Sequence, residues 1–155
     1  MEEFGGLAGT ELEPSPWLEI TQERINQFAD ATSDHQFIHV DPEQSKETAF
    51  GGTIAHGFLT LSLLSHLNKK SQRLPTGVTM GINYGSDKVR YLAPVKVNQR
   101  IRTRQKVLSV SEKRPGQWLV RTSVTVEIDG ENVPALIAEI LSMYIVDTNT
   151  KEVNK

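Results

Sequence analysis

Two side chains of the kinds that move protons stand close together in this chain. Asp34 and His39 lie in the run Ser33-Asp34-His35-Gln36-Phe37-Ile38-His39-Val40-Asp41-Pro42. A carboxylate and an imidazole on one loop can hold a water between them and pass its proton. The same spacing also suits an aspartate that turns the loop beside a packed histidine, so the neighbours decide. Phe37, Ile38 and Val40 are apolar, and partial burial of the segment would shift acid–base behaviour usefully. Further on, Phe50-Gly51-Gly52-Thr53 turns into Ile54-Ala55-His56-Gly57-Phe58-Leu59. Free N–H groups of a first helical turn point outward and can hold an anionic oxygen, which makes Gly57 a candidate, with His56 beside it. A glycine there would also let a substrate come close. His56 equally suits capping or packing at the helix start. Ser65, two turns later, reads as a buried hydroxyl bonded back to a carbonyl of its own helix.

The elements that must position these groups follow from capping and periodicity. Thr21 is a good N-cap with Glu23 in the first turn, and Ile20 and Ile25 match a hydrophobic staple, so a helix runs to about Ala31. Asp41-Pro42-Glu43-Gln44 starts a second, short helix to about Thr48, with Asp41 as cap and Pro42 in first position. Ile54–Lys70 is the longest predicted helix. Its Ile, Ala, Phe and Leu residues cover most of the circumference, so burial inside the protein is expected. After Pro75-Thr76-Gly77 the pattern changes to strands: Val78–Tyr84, Lys88–Leu92, Arg100–Val110, Trp118–Ile128 and Val133–Val146. The Trp118–Ile128 strand alternates cleanly, and Asp129-Gly130 is a hairpin signal. A curved antiparallel sheet wrapped around one apolar helix satisfies all of these, in a single α+β domain. Residues 1–16 form a loose arm or an irregular first strand, and 148–155 a flexible tail. An uncovered face or edge of the sheet favours a homodimer or higher homo-oligomer.

Composition narrows the chemistry. The 155 residues carry a formal net charge of -2, and no basic excess or polybasic run points to nucleic acid or an anionic membrane. There are no cysteines, which removes disulfides, thiolate metal sites and cysteine nucleophiles. No stretch approaches the ~20 apolar residues of a membrane span. The N-terminal residues lack the pattern of a signal peptide, so a cytoplasmic location is expected. His35 and His66 read as surface or helix-end residues. No H-E-x-x-H, P-loop or dinucleotide pattern is present, so neither a metal nor a cofactor is expected.

The runs Ser33–Pro42 and Phe50–Thr60, with Asn83-Tyr84-Gly85, Lys88-Val89-Arg90-Tyr91 and Pro94-Val95, resemble the MaoC-like dehydratases. That group includes the R-specific enoyl-CoA hydratases and a nodulation-protein-N-like branch, and the likeness spans about residues 18–146. It implies the hotdog fold, a curved antiparallel sheet around a long central helix, and an oligomer. It also implies a cofactor-free hydratase, with an acyl-CoA thioester as substrate. Asp34 and His39 fall on the family's Asp-x4-His positions, where they would activate the water that adds to a trans-2-enoyl-CoA, giving the (R)-3-hydroxyacyl-CoA. The Gly57 N–H falls on the oxyanion donor, with His56 beside it. Ser65 falls on a helix serine near the imidazole. Many hydratases carry Asn-Pro within the motif, where this chain has Gln36-Phe37, a difference that points to another substrate.

Two other functions compete. A hotdog thioesterase commonly places its carboxylate on the central helix, but Ile54–Lys70 contains neither Asp nor Glu. A non-catalytic acyl-CoA-binding or partner subunit would have no need of both Asp34 and His39. Arg90, Lys96, Arg100 and Arg104 are basic enough to meet CoA phosphates, and equally suit a solvated strand face.

Overall fold

The computed structural model describes residues 2–69 and 74–147. The chain begins with α1 (Glu2–Gly5), β1 (Glu11–Leu12) and β2 (Leu18–Glu19), then α2 (Gln22–Thr32). Two single turns follow, α3 (Phe37–Val40) and α4 (Pro42–Ser45), and then α5 (Gly57–Ser62) and α6 (Leu64–Lys69). Four long strands complete it: β3 (Val78–Tyr91), β4 (Arg100–Arg114), β5 (Gln117–Ile128) and β6 (Leu136–Val146). They form one antiparallel sheet in the order β1-β4-β5-β6-β3, with β2 also pairing with β4.

The alternation expected in β5 holds. Val120, Thr122, Val124, Val126 and Ile128 are buried, while Arg121, Ser123, Thr125 and Glu127 lie on the partly open face. The concave face packs Val124, Val126, Ala135 and Leu136 against Leu59, Leu63, Leu64 and Leu67 of the helical segment. Burying such side chains is worth about 1.5–3 kcal/mol each, which makes this contact the main support of the fold. Ile20 and Ile25, the staple before and within α2, join the same core. This is the α+β hotdog architecture.

The helix it encloses differs from the expectation. Instead of one helix over Ile54–Lys70, two six-residue pieces meet at Leu63. Ile54 and Ala55 are extended: Ile54 makes an isolated bridge with Lys96, and the Ala55 N–H donates to Val95 O. Their apolar character reflects burial in a strand-like link, which helical periodicity alone does not separate from a helix turn. At the junction Ser62 Oγ donates back to Phe58 O, a bond that bends helices. Nor is the segment buried all round, since Phe58 is 71% exposed. Lys70 lies outside the described residues, as does the tail at 148–155.

The N-terminal arm is not loose. Phe4 is buried, with its ring stacked on Trp118 at 4.8 Å, in a second core with Val107, Val120 and Tyr144. Glu11 and Leu12 pair with Lys106 and Gln105, and Ser15 Oγ accepts from the Thr103 N–H at 2.9 Å. Phe4 fills the end of the concave face that the short helical segment leaves uncovered. The two strands expected at 78–92 are one, with register shifts at Asn83/Gly85 and Asp87/Arg90 where a break was expected.

Candidate active site

Three elements converge on the Asp34–His39 segment. Helix α2 ends on Ser33 in the left-handed conformation (φ 60°), and the Asp34 N–H returns to Ala29 O, so the chain turns sharply as Asp34 begins. His39 then falls within α3, a turn too short to be read from sequence. The Thr21 cap accepts from the Arg24 N–H, and the Asp41 cap accepts from the Gln44 N–H, as expected. These caps fix the two ends between which the candidate residues hang.

His39 is buried and held from two sides. Its Nδ1 lies 2.7 Å from Ile54 O. A carbonyl only accepts, so Nδ1 carries the proton and Nε2 keeps its lone pair. Gln22 of α2 grips the main chain, its Nε2 donating to His39 O at 2.7 Å while its Oε1 accepts from the Thr53 hydroxyl. Gln22 was not singled out in the sequence, where a glutamine in a first helical turn looks like any solvated residue. Burial lowers the His39 pKa below 6.5. The bond to Ile54 O raises it in part, nearby His56 lowers it further, and Asp34 raises it.

Asp34 is exposed, against the expectation of a buried pair. It nevertheless belongs to a tight group: Asp34, His39 and His56 offer polar atoms all within 4.8 Å of one another. The His39 and His56 rings stack at 3.8 Å with planes 23° apart. His56 Nε2 donates to the Asp34 carbonyl at 2.9 Å. Such a group invites a metal reading. A metal, however, needs lone pairs that converge on one point, and two nearly parallel stacked rings direct theirs along nearly parallel planes. The arrangement suits proton transfer better than coordination.

Gly57 opens α5, and together with His39 it lines a hollow of about 500 Å³ with Phe50, Phe58, Tyr91 and Val95. None of the residues lining it is Asp, Glu, Lys or Arg. The space beside Gly57 is already taken: a Cβ built there would meet the Tyr91 ring at 2.9 Å. A side chain at position 57 would have to displace that ring, so the close approach the glycine allows is to a tyrosine, where the sequence suggested a substrate. Ser65 is exposed and lines a different cavity, of about 650 Å³, with Leu61, Asn83, Tyr84 and Tyr144. The structure thus groups Asp34, His39, His56 and Gly57 and sets Ser65 apart. On the sheet's outer face Arg100 pairs with Asp129 and Arg104 with Glu127.

Comparison with known proteins follows the same lines. Residues 3–130 match the MaoC like domain. The chain belongs to the MaoC-like family. Within it, the chain is 51% identical to nodulation protein N of Rhizobium leguminosarum over 145 residues, covering 92% of this chain and 89% of that one. It is 44% identical to 3-hydroxyacyl-thioester dehydratase Z of Mycobacterium tuberculosis, covering 92% and 94%. Among solved structures, R-hydratase PhaJ1 from Pseudomonas aeruginosa superposes with a TM-score of 0.72 at 25% identity, covering 93% and 86%. A monoamine oxidase regulatory protein from Archaeoglobus, at 24% identity and a TM-score of 0.76, shares the fold. Hydration and dehydration are the chemistry that the named MaoC-like enzymes have in common. No helix among the described residues is long and apolar enough to cross a membrane.

Proposed function

We propose that this MaoC-like protein is a cofactor-free hydratase/dehydratase that reversibly adds water to a trans-2-enoyl-CoA, giving the (R)-3-hydroxyacyl-CoA. The observation that carries this reading is the His39 tautomer. With Nδ1–H bonded to Ile54 O, Nε2 can accept a hydrogen from a water. The Asp34 carboxylate, within 4.8 Å, accepts the other. A water held by two acceptors presents its lone pair to the β-carbon of an enoyl thioester. One proton goes to the acid–base pair as the C–O bond forms, and the pair returns a proton to the α-carbon. The charge that develops on the thioester oxygen needs a donor, and the Gly57 N–H, at the first position of α5, has no intrahelical acceptor. A six-residue helix adds little dipole, so the N–H itself does the work, on the order of the few kcal/mol one oxyanion donor supplies.

The (R) product rests on the likeness to the R-hydratase and a thioester substrate on the likeness to the thioester dehydratase, while CoA as the carrier rests on the likeness to a 3-hydroxybutyryl-CoA dehydratase, 31% identical. The exposed edge of the sheet further supports a homo-oligomer in which β3 meets a second copy. The test is spectroscopic. Purified protein is given trans-2-enoyl-CoA substrates of several chain lengths, and the conjugated double bond is followed by its ultraviolet absorbance while free thiol is assayed in parallel. Loss of absorbance with no thiol release is expected. Thiol release without loss of the double bond would establish a thioesterase instead.

A further inference from the structure

Asp34 and His39 come from different local structures, a loop and a single helical turn, and no bond between their side chains holds them in register. Among the described residues the carboxylate accepts only a long contact, 3.5 Å, from the Gln36 N–H. A third side chain reaches both. His56 is 3% exposed; its Nε2–H donates to the Asp34 carbonyl, and its ring lies flat on His39. The Phe28 ring also packs on His56, tilted by 56° with its centroid 5.0 Å away. With Nε2 carrying the proton, Nδ1 is a bare lone pair, buried and without a partner among the described residues. His56 also occupies the N-cap of α5 and makes no capping bond. Ser, Thr, Asp or Asn at that position would cap and stabilise the helix. The local interest of α5 is therefore given up for a ring directed at the Asp34 loop.

We infer that His56 is the positioning residue of the acid–base pair: one ring pins the main chain that carries the carboxylate and supports the face of the imidazole. This rests on the hydratase reading of Asp34 and His39. The groups that face His39 are Asp34 from the loop, His56 from the start of α5, Tyr91 from the end of β3 across the hollow, and Gln22 from α2 at its carbonyl. Removing His56 removes a neighbour that lowers the His39 pKa, together with part of its cover from water.

Two variants separate the two contacts. His56→Phe keeps a ring on His39 and loses the bond to Asp34. Its hydration kcat is expected to fall about 100-fold, the scale of a misplacement near 1 Å, with KM little changed and the circular dichroism of a folded protein. His56→Gln supplies an amide N–H to the Asp34 carbonyl and loses the ring. Its kcat is expected to recover to within about tenfold of wild type, with the acid limb of kcat/KM moved upward in pH. The substrate-free protein with labelled histidines, titrated by NMR, should show the His39 midpoint rising in His56→Gln. A folded His56→Phe with wild-type kcat would overturn the inference. So would a His56→Gln that is no better than His56→Phe and leaves the His39 midpoint unmoved, since both describe a ring that merely fills space. Should wild-type protein hydrate no enoyl-CoA, the hydratase reading falls by itself. The His39 midpoint in the substrate-free variants then decides the inference: a rise in His56→Gln sustains it, and no change sinks it.

Discussion

His39 must be neutral to accept a proton, and its surroundings arrange that. Burial lowers its pKa from 6.5, the bond to the Ile54 carbonyl offsets part of this, His56 lowers it again, and Asp34 opposes. The acid limb of kcat/KM, if it reports His39, is therefore expected below pH 6.5, because kcat/KM follows the free enzyme. A limb at or above 6.5 would mean that another group sets it. Stability follows with a definite sign. Between the lowered value and 6.5 the unfolded chain binds the proton and the folded one does not, so stability rises with pH across that window and the His39 contribution is flat above it. Urea midpoints at pH 5.5 and 7.5 should differ more in wild type than in His39→Gln. Glu127 acts in a separate window: burial raises its pKa, but the bonds from Arg102 and Arg104 win and lower it below 4.5. Its contribution is thus lost only at more acid pH. The catalytic roles have their own test. Asp34→Asn and His39→Ala should each cut hydration at least ~100-fold, within the range for general acid–base groups, while the urea midpoint of Asp34→Asn barely moves because Asp34 is exposed. Near-native turnover by a folded Asp34→Asn would remove Asp34 from the mechanism.

At the scale of elements, Gly57 on α5 and Tyr91 at the end of β3 form one unit. A methyl at Gly57 meets the Tyr91 ring at 2.9 Å, but that ring is 48% exposed and can move aside into the hollow it lines. Alanine also favours the helix over glycine by about 1 kcal/mol, so Gly57→Ala should leave stability near neutral. Activity should suffer, because the displaced ring enters the hollow shared with His39. The measurement is a melting curve beside a Michaelis curve, and adding Tyr91→Ala should restore part of the lost kcat/KM. An unstable Gly57→Ala with unchanged kinetics would contradict this. The same elements show what the sequence disclosed. Thr21, Asp41 and the Ile20–Ile25 staple were legible because each is a local bond or contact written within a few residues. The alternation of β5 was legible because one face meets the core. Asp34 and His39 stood out by residue type and spacing, and the stacking of His56 on His39 did not, since residues 17 apart in the chain meet only through the bend at Gly51-Gly52 and the extended link after it. The helix was read too long for a related reason: Ile54 and Ala55 are buried by pairing with Lys96 and Val95, far along the chain. Phe4 was read as part of a loose arm because its partners, Trp118 and Tyr144, lie more than a hundred residues away.

The sheet has an open side. Among the described residues strand β3 pairs only with β6, and every residue from Thr79 to Lys88 is exposed. Met80, Ile82 and Tyr84 are 55%, 43% and 61% exposed, and no charged or proline residue guards the run from Thr79 to Ser86. An uncovered strand of this length offers its free N–H and C=O groups to another strand. The simplest closure is a second copy turned by a two-fold axis, β3 antiparallel to β3, since a self-complementary edge closes after one addition. The cavity beside Ser65 is lined by Ile82, Asn83 and Tyr84, so the partner would cover it and join it to the protected interior. Sedimentation at micromolar concentration should therefore give twice 17.3 kDa. Replacing Ile82 and Tyr84 together by Glu places like charges across the axis, and the variant should sediment as a monomer of native secondary structure. If the interface also shapes the acyl site and the acyl chain extends into the Ser65 cavity, kcat/KM of that monomer should fall by at least about tenfold on medium-chain substrates and less on a four-carbon one. A wild-type monomer, or a doubly charged variant that still dimerises, would place the interface elsewhere on the molecule.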